Sequence, residues 1–256
     1  HSLGWPVNRV RFGIGDIMFD MLKKMQESPV CPELASRGLA GRQQVMRAAP
    51  IRRDFYAMRG KRALDVTGAL VLLIVFSPLI LVIALLMLSQ RGPVLFGHQR
   101  IGQAGALFAC LKFRTMVPDA EARLQELLDR DPEARRQWQA DHKLDKDPRI
   151  TPVGNFLRRT SLDELPQLLN VLRGDMSLVG PRPVTRAELQ RYGEDSVSYL
   201  ALRPGLTGKW QVSGRNDISY AGRVALDAAY AREFSACGDL AILVQTVGVV
   251  LGATGK

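Results

Sequence analysis

Hydrophobic and polar positions in this 256-residue chain fall into one long apolar run, a few alternating stretches and several helical stripes. The run is Leu64–Leu88. Between Ala69 and Leu88, fifteen of twenty positions are Leu, Val, Ile or Phe, none is charged, and Ser77 is the one polar side chain. At about 0.3–0.6 kcal/mol each, these residues favour a bilayer interior by on the order of 5–9 kcal/mol. The run is read as membrane-embedded.

Its path follows from what interrupts it and what flanks it. Pro78 lacks an N–H and crowds the carbonyl of Ile74, so a kink or break is expected there, with Ser77 able to satisfy the freed carbonyl. As one straight helix the run reaches about 37 Å, enough to span; each half alone reaches about one leaflet. Before it stand Arg42, Arg47, Arg52, Arg53, Arg59, Lys61 and Arg62 against Asp54; after it come Arg91, Arg100, Lys112 and Arg114 before any acid. A spanning helix carries its basic excess on one side, whereas here both flanks read as cytoplasmic. A re-entrant hairpin over 56–92 is therefore expected ahead of a kinked spanning helix, and both ahead of a buried core helix.

Residues 1–55 read as an amphipathic segment and linker, with Ile17, Met21 and Met25 on one stripe and a Pro/Gly-rich stretch at Ser28–Gly41. From 93 to 256 the pattern is that of a cytoplasmic domain. PVLFGHQRIG and ALFACLKFRTM, joined across Gly102–Gly105, predict a β-hairpin. Residues 119–140 predict a charged helix broken at Asp131-Pro132. An apolar helix closed by Gly174 follows a loop, with further helices over Thr185–Leu202 and Arg223–Phe234. Arg203–Arg215 reads as a Gly-rich loop or strand. The closing apolar stretch is too short to span and reads as an interfacial or core helix. The fold class is α/β (α+β): a helix-break-helix hairpin, then a mostly helical domain with a small β-hairpin and amphipathic interfacial helices.

The net charge of +10 points to anionic lipid or phosphorylated substrates. No nucleic-acid partner is expected, because zinc-finger spacing, an aromatic-rich basic strand and a basic heptad helix are all missing. Three well-separated cysteines argue against a disulfide framework.

Asp163 and Glu164, in T-S-L-D-E-L-P-Q, stand at the start of an apolar helix among Arg158, Arg159, Arg173 and Arg182. Ser161 with Glu164 also fits an S-x-x-E capping box, a purely structural role. Adjacent helical residues point about 100° apart, so two separate tasks suit the acids better than an acid/base pair, for example a nucleophile and a ligand for a hard divalent cation. Pro181 and Pro183 stiffen the backbone around Arg182, either as a rigid turn or as a fixed grip on phosphate. Lys112 and Arg114 share a strand face by alternation, either simply a solvated face or a pair of cations for substrate phosphate. Arg203 and Arg215 bracket glycines that would let a backbone approach a nucleotide.

Together KFRTM at 112–116, DPRITPVGNFLRRTSLDELPQLLNVLRGDMSLVGPRP at 147–183 and RPGLTGKWQVSGR at 203–215 closely resemble the bacterial sugar transferases, the monotopic phosphoglycosyl transferases. The Lys61–Pro78 entry to the apolar run matches as well, and the segment after Arg215 looks like the hexose-1-phosphate branch serving exopolysaccharide synthesis. The resemblance implies a re-entrant helix broken at Ser77-Pro78 and a domain working at the cytoplasmic face of the bacterial inner membrane. It implies transfer of a sugar phosphate from a UDP-sugar to undecaprenyl phosphate, with release of UMP. It further implies Asp163 as nucleophile of a covalent phosphosugar intermediate, Glu164 as a holder of Mg²⁺, and Arg158, Lys112 and Arg182 on phosphates. A homodimer is left open. The rival from another class is a non-catalytic membrane adaptor of glycan assembly, which would need neither acid.

Overall fold

The computed structural model describes residues 55–90, 92–141, 144, 147–214 and 218–251. The expectations for residues 1–54 therefore lie outside the described residues. The apolar run forms one helix, α1 (Lys61–Leu88), entered through a π-helical turn at Tyr56–Gly60. The chain stays helical through Ser77-Pro78, which corrects the expected break between two half-length helices. The reason is local. Pro78 removes one amide from the helical ladder, and Ser77 Oγ donates to the Ile74 carbonyl at 2.8 Å, the acceptor left over. The stretch Tyr56–Leu88 is long and apolar enough to cross a membrane, and its apolar window is only 11% buried. Ile74 is 72% exposed and Val75 63%. This is not the core helix of a soluble body.

The charged foot of α1 ties it to the rest of the protein. Asp65 accepts from Ser177 Oγ at 2.9 Å and from the Leu178 amide at 2.8 Å. Arg62 donates to the carbonyls of Val171 and Leu172 at 2.6 and 2.9 Å, the C-terminal end of a later helix where a cation is favoured. Lys61 pairs with Asp239 at 2.7 Å.

After α1 the expected hairpin forms: β1 (Leu95–Ile101) and β2 (Leu107–Phe113) pair antiparallel, with Leu95 opposite Phe113. The charged segment is two helices, α2 (Ala120–Arg130) and α3 (Pro132–Asp141), parted at Asp131 as its Pro neighbour requires. A helix not foreseen, α4 (Pro152–Arg159), starts at Thr151, whose hydroxyl accepts from the Gly154 amide at 2.9 Å with Pro152 at the first position. Then come α5 (Gln167–Arg173), β3 (Ser177–Val179), α6 (Arg186–Gln190), α7 (Ser196–Ala201), β4 (Gly205–Thr207), α8 (Lys209–Val212), α9 (Tyr220–Glu233) and α10 (Ala236–Leu251). Gly174 closes α5 at φ +92°, a left-handed cap that favours glycine. β3 and β4 form a two-stranded parallel pair, Ser177 opposite Gly205.

Two apolar clusters matter for the site. Ala69 of α1 joins Phe108, Leu168, Val171, Met176, Leu178, Tyr230 and Phe234 in the main core. Farther along α1, Ile83 and Met87 bury against Phe113 and Leu157, with Leu162 packed on the same cluster. Leu157 and Leu162 are the neighbours of Arg158 and Asp163, so the far half of α1 supports the segment carrying the acids.

Candidate active site

Three elements bring charge to one place: the end of β2 with Lys112, the end of α4 with Arg158, and a 3₁₀ turn at Leu162–Glu164. Lys112 Nζ lies 2.7 Å from Glu164 Oε1 and 3.7 Å from Asp163 Oδ2, so both carboxylates converge on one ammonium. The acids differ in setting: Asp163 is buried at 7% exposure, whereas Glu164 is half-buried. Burial raises Asp163 above the usual carboxylate range; Lys112 opposes that shift and the neighbouring Glu164 adds to it. Burial alone would depress Lys112, but Glu164 and Asp163 outweigh it and hold the amine above its ordinary value.

The turn is held in an unusual backbone. Ser161 adopts φ 57°, ψ 16°, a left-handed conformation that costs a non-glycine residue on the order of 1 kcal/mol. Its side chain makes no cap, so the S-x-x-E capping box does not form and Glu164 is released to Lys112. The new helix begins only after Pro166, which sits at its N-cap.

Arg158 reaches the acids because α4 packs hard on the strand exit. A Cβ on Gly154 would lie 2.0 Å from the Thr115 carbonyl, so only glycine allows that approach. Arg158 Nε then donates to Thr115 Oγ1 at 2.8 Å, and its charge acts on Asp163 and on Asp147. Asp147 is held by Arg149 through contacts of 2.8 and 2.7 Å.

Of the other residues singled out from sequence, Arg182 is exposed, with its guanidinium 5.5 Å from the centroid of the Trp210 ring. Arg114 is buried beside Gly92 and Pro118 rather than sharing the solvent face of Lys112, because β2 ends at Phe113 and alternation ends with it. Arg203 donates to the Gly174 carbonyl at 2.8 Å, closing the end of α5. Arg215 lies outside the described residues. Sequence reading missed Thr115, Trp210, Arg223 and Asp227. Arg223 lies 4.8 Å over the same indole as Arg182, and buried Asp227 accepts from Tyr192 at 2.9 Å and from the Arg182 backbone. The L-D-A-A-Y stretch, an acid between apolar helical positions, was the available signal for Asp227.

Two neighbouring carboxylates, both within reach of the Lys112 ammonium, are donors of the kind a divalent ion completed by substrate phosphates would use. Mg²⁺ takes one or two carboxylates in such sites, and among the described residues no cluster of three or more acids, His or Cys offers a full protein cage. The donor set fits Mg²⁺ on those terms.

Residues 56–253 match the family model described as Bacterial sugar transferase. The chain belongs to the bacterial sugar transferase family. It is 51% identical over 195 residues to the undecaprenyl-phosphate galactose phosphotransferase of Salmonella typhimurium, covering 76% of this chain and 41% of that protein. It is 52% identical over 197 residues to the exopolysaccharide production protein ExoY of Rhizobium meliloti, covering 77% and 87%. To the undecaprenyl-phosphate glucose phosphotransferase of Komagataeibacter xylinus it is 41% identical over 204 residues, covering 74% and 35%. The chain thus spans about two-fifths of the length of the Salmonella relative, and most of the Rhizobium one. The family match starts at the entry to α1 and takes in every labelled element, so this sugar transferase unit includes the apolar helix together with the acids.

Proposed function

We propose that this chain transfers a hexose-1-phosphate from a UDP-sugar to undecaprenyl phosphate and releases UMP, as the first membrane step of exopolysaccharide assembly. The observation that carries the reading is the pair Asp163 and Glu164 on one lysine, with Asp163 buried. In the first half, an Asp163 carboxylate oxygen attacks the phosphorus next to the sugar. The bond from that phosphorus to the bridging oxygen breaks, and UMP leaves with the electron pair. An acyl phosphate now joins Asp163 to the sugar phosphate. In the second half, a phosphate oxygen of undecaprenyl phosphate attacks the same phosphorus and the Asp163 carboxylate leaves, restoring the enzyme. One site thus serves two phosphorylated substrates in turn.

Lys112 and Arg158 stabilise charge on the phosphoryl oxygens, and Arg182 grips phosphate from the Pro181–Pro183 turn. Glu164, at the more open edge, would hold Mg²⁺, and the ion when bound would neutralise negative charge on the substrate phosphates. The reading places α1 as a re-entrant anchor in the inner membrane, its continuous helix bending at Ser77-Pro78 to return to the side it entered from, with the domain on the cytoplasmic face. The two basic flanks and the helix left uncovered by protein support that placement, and α1 supporting the acid-bearing turn suits a substrate delivered from the lipid.

The test is purified protein with Mg²⁺, undecaprenyl phosphate and UDP-galactose, UDP-glucose and other UDP-sugars, with UMP measured. Multiple-turnover UMP release that depends on one sugar and on the lipid is expected, with no more than one equivalent per enzyme when the lipid is left out. No UMP with any donor would favour the adaptor reading.

A further inference from the structure

β2 has a partner on one side only. β1 pairs with it antiparallel, and among the described residues no second strand joins its other edge in that sheet. In a pleated strand the backbone groups of residues i and i+2 face the same edge, so the Ala109 carbonyl and the Leu111 amide point together toward α5. There they meet one side chain. Asn170, fully buried at 0% exposure, accepts from the Leu111 amide through Oδ1 at 3.0 Å and donates from Nδ2 to the Ala109 carbonyl at 2.9 Å. Its second Nδ2 proton reaches Asp175 Oδ2 at 3.2 Å. A carboxamide presents a carbonyl and an N–H in one plane, as a peptide group does. Asn170 therefore stands in for one residue of a missing strand, and no other orientation of its amide satisfies both backbone partners.

The consequence lies in what each end of this bridge carries. Leu111 is the residue before Lys112, and α5 is the helix that follows the Leu162–Glu164 turn. The two backbone segments bearing the ammonium and the two carboxylates are thus locked to each other through Asn170. We propose that Asn170 is a positioning residue for the transfer reaction: by fixing the open edge of β2 to α5 it sets the placement of Lys112 against Asp163 and Glu164. The proposal rests on the reading of Lys112 as the cation that meets substrate phosphate. Asn170 itself touches no substrate and acts through Lys112.

Asn170→Asp is the sharpest variant, because it keeps an acceptor for the Leu111 amide but turns an oxygen onto the Ala109 carbonyl and onto Asp175. UMP release is measured on the parent, on Asn170→Asp, on Lys112→Met and on the double variant. Each is first checked for membrane association and for a parental melting profile. In the parental background Asn170→Asp is expected to lower kcat/KM roughly 10- to 100-fold, the cost of small misplacements in a reacting centre. In the Lys112→Met background the same substitution should cost at most about twofold, since the group it positions is already gone. Equal fold-losses in both backgrounds would make Asn170 merely structural and overturn the proposal. Should Asn170→Asp fail to fold, Asn170→Gln keeps both amide functions and displaces the strand by one methylene, and the same four-way comparison is made with it. Failure of both to fold would mark Asn170 as a core residue with no separate positioning task, which also overturns the proposal. A Lys112→Met enzyme as fast as the parent would instead strike at the reading of Lys112 itself.

Discussion

Lys61 and Asp239 form a 2.7 Å ion pair in which the aspartate side chain is fully buried. The pair joins the foot of α1 to α10, near the other end of the chain, and it is not isolated. Lys61 Nζ also donates to the Val179 carbonyl at 2.9 Å and to Tyr230 at 3.0 Å, and Tyr230 donates to the second Asp239 oxygen at 2.7 Å. Every donor of the ammonium is used, so the charge is matched where it enters the protein. Removing one partner leaves the other buried and uncompensated, at a cost of about 3–5 kcal/mol. Asp239→Ala should therefore lower the melting temperature by on the order of 10 °C, since 1 kcal/mol is worth about 2–4 °C at this size. The charge-free pair Lys61→Met with Asp239→Leu should recover much of that loss. A melting scan in which the single variant matches the parent would contradict the pairing.

The path of α1 through the bilayer is tested by labelling. With the native cysteines replaced, single cysteines near residues 60 and 92 should both resist a membrane-impermeant thiol reagent added to intact cells. Both should react once the inner membrane is opened. Labelling of one end from outside would make α1 a spanning helix, for which its length is adequate.

The acid limb of the first half-reaction reports the setting of Asp163. A nucleophile must be ionised, and burial raises this carboxyl above the usual aspartate value of 3.8 while Lys112 opposes the shift. Formation of the sugar-phosphate adduct should therefore fall on acidification with a midpoint above 3.8. Lys112→Met removes the opposing charge, so its midpoint must move to higher pH still, together with a lower maximal rate. A midpoint moving to lower pH in that variant would contradict the geometry.

Asp227 gives a pH prediction for stability. Burial pushes it up to about 7. Its folded value stands above the unfolded one, so its contribution is fully present below about pH 4 and is lost as pH rises through about 7. Asp227→Asn keeps an acceptor for Tyr192 and carries no charge. Its melting temperature should decline less than the parent's between pH 5 and 8, and exceed it by a few degrees at the upper end. Parallel curves for the two proteins would show that Asp227 does not titrate in this range.

Much of this architecture was legible in the sequence. The Gly-rich turn between two alternating stretches marked the β1–β2 hairpin, Pro132 marked the division of α2 from α3, and Gly174 marked the end of α5. The T-P-V-G start of α4 carried a legible signal, a Thr cap with proline at the first position, although the segment was read as a loop. β4 lies inside Arg203–Arg215, read as a Gly-rich loop or strand, but nothing local could reveal β3 or the pairing of the two, since three-residue strands far apart in the chain pair only through the tertiary fold. The bond from Ser77 to the carbonyl four residues before the proline was legible, but not that it would keep one helix running through Pro78, where a kink or break was expected. In the site, the adjacency of Asp163 and Glu164 was visible. Their meeting at Lys112 was not, because it depends on Ser161 taking a left-handed backbone where a capping box was open to it.

The central claim is that Asp163 bonds covalently to the sugar phosphate before any lipid is needed. The most direct measurement is the intact mass of the purified protein after incubation with UDP-sugar and Mg²⁺ in the absence of undecaprenyl phosphate. The parent should gain the mass of one hexose phosphate less water and lose it again when the lipid is added, with UMP appearing in the first step. Asp163→Asn keeps the size and most hydrogen bonding of the side chain, and should remain folded and membrane-bound while showing neither adduct nor turnover. An adduct of the same mass on Asp163→Asn, or turnover near the parental rate, would contradict the account.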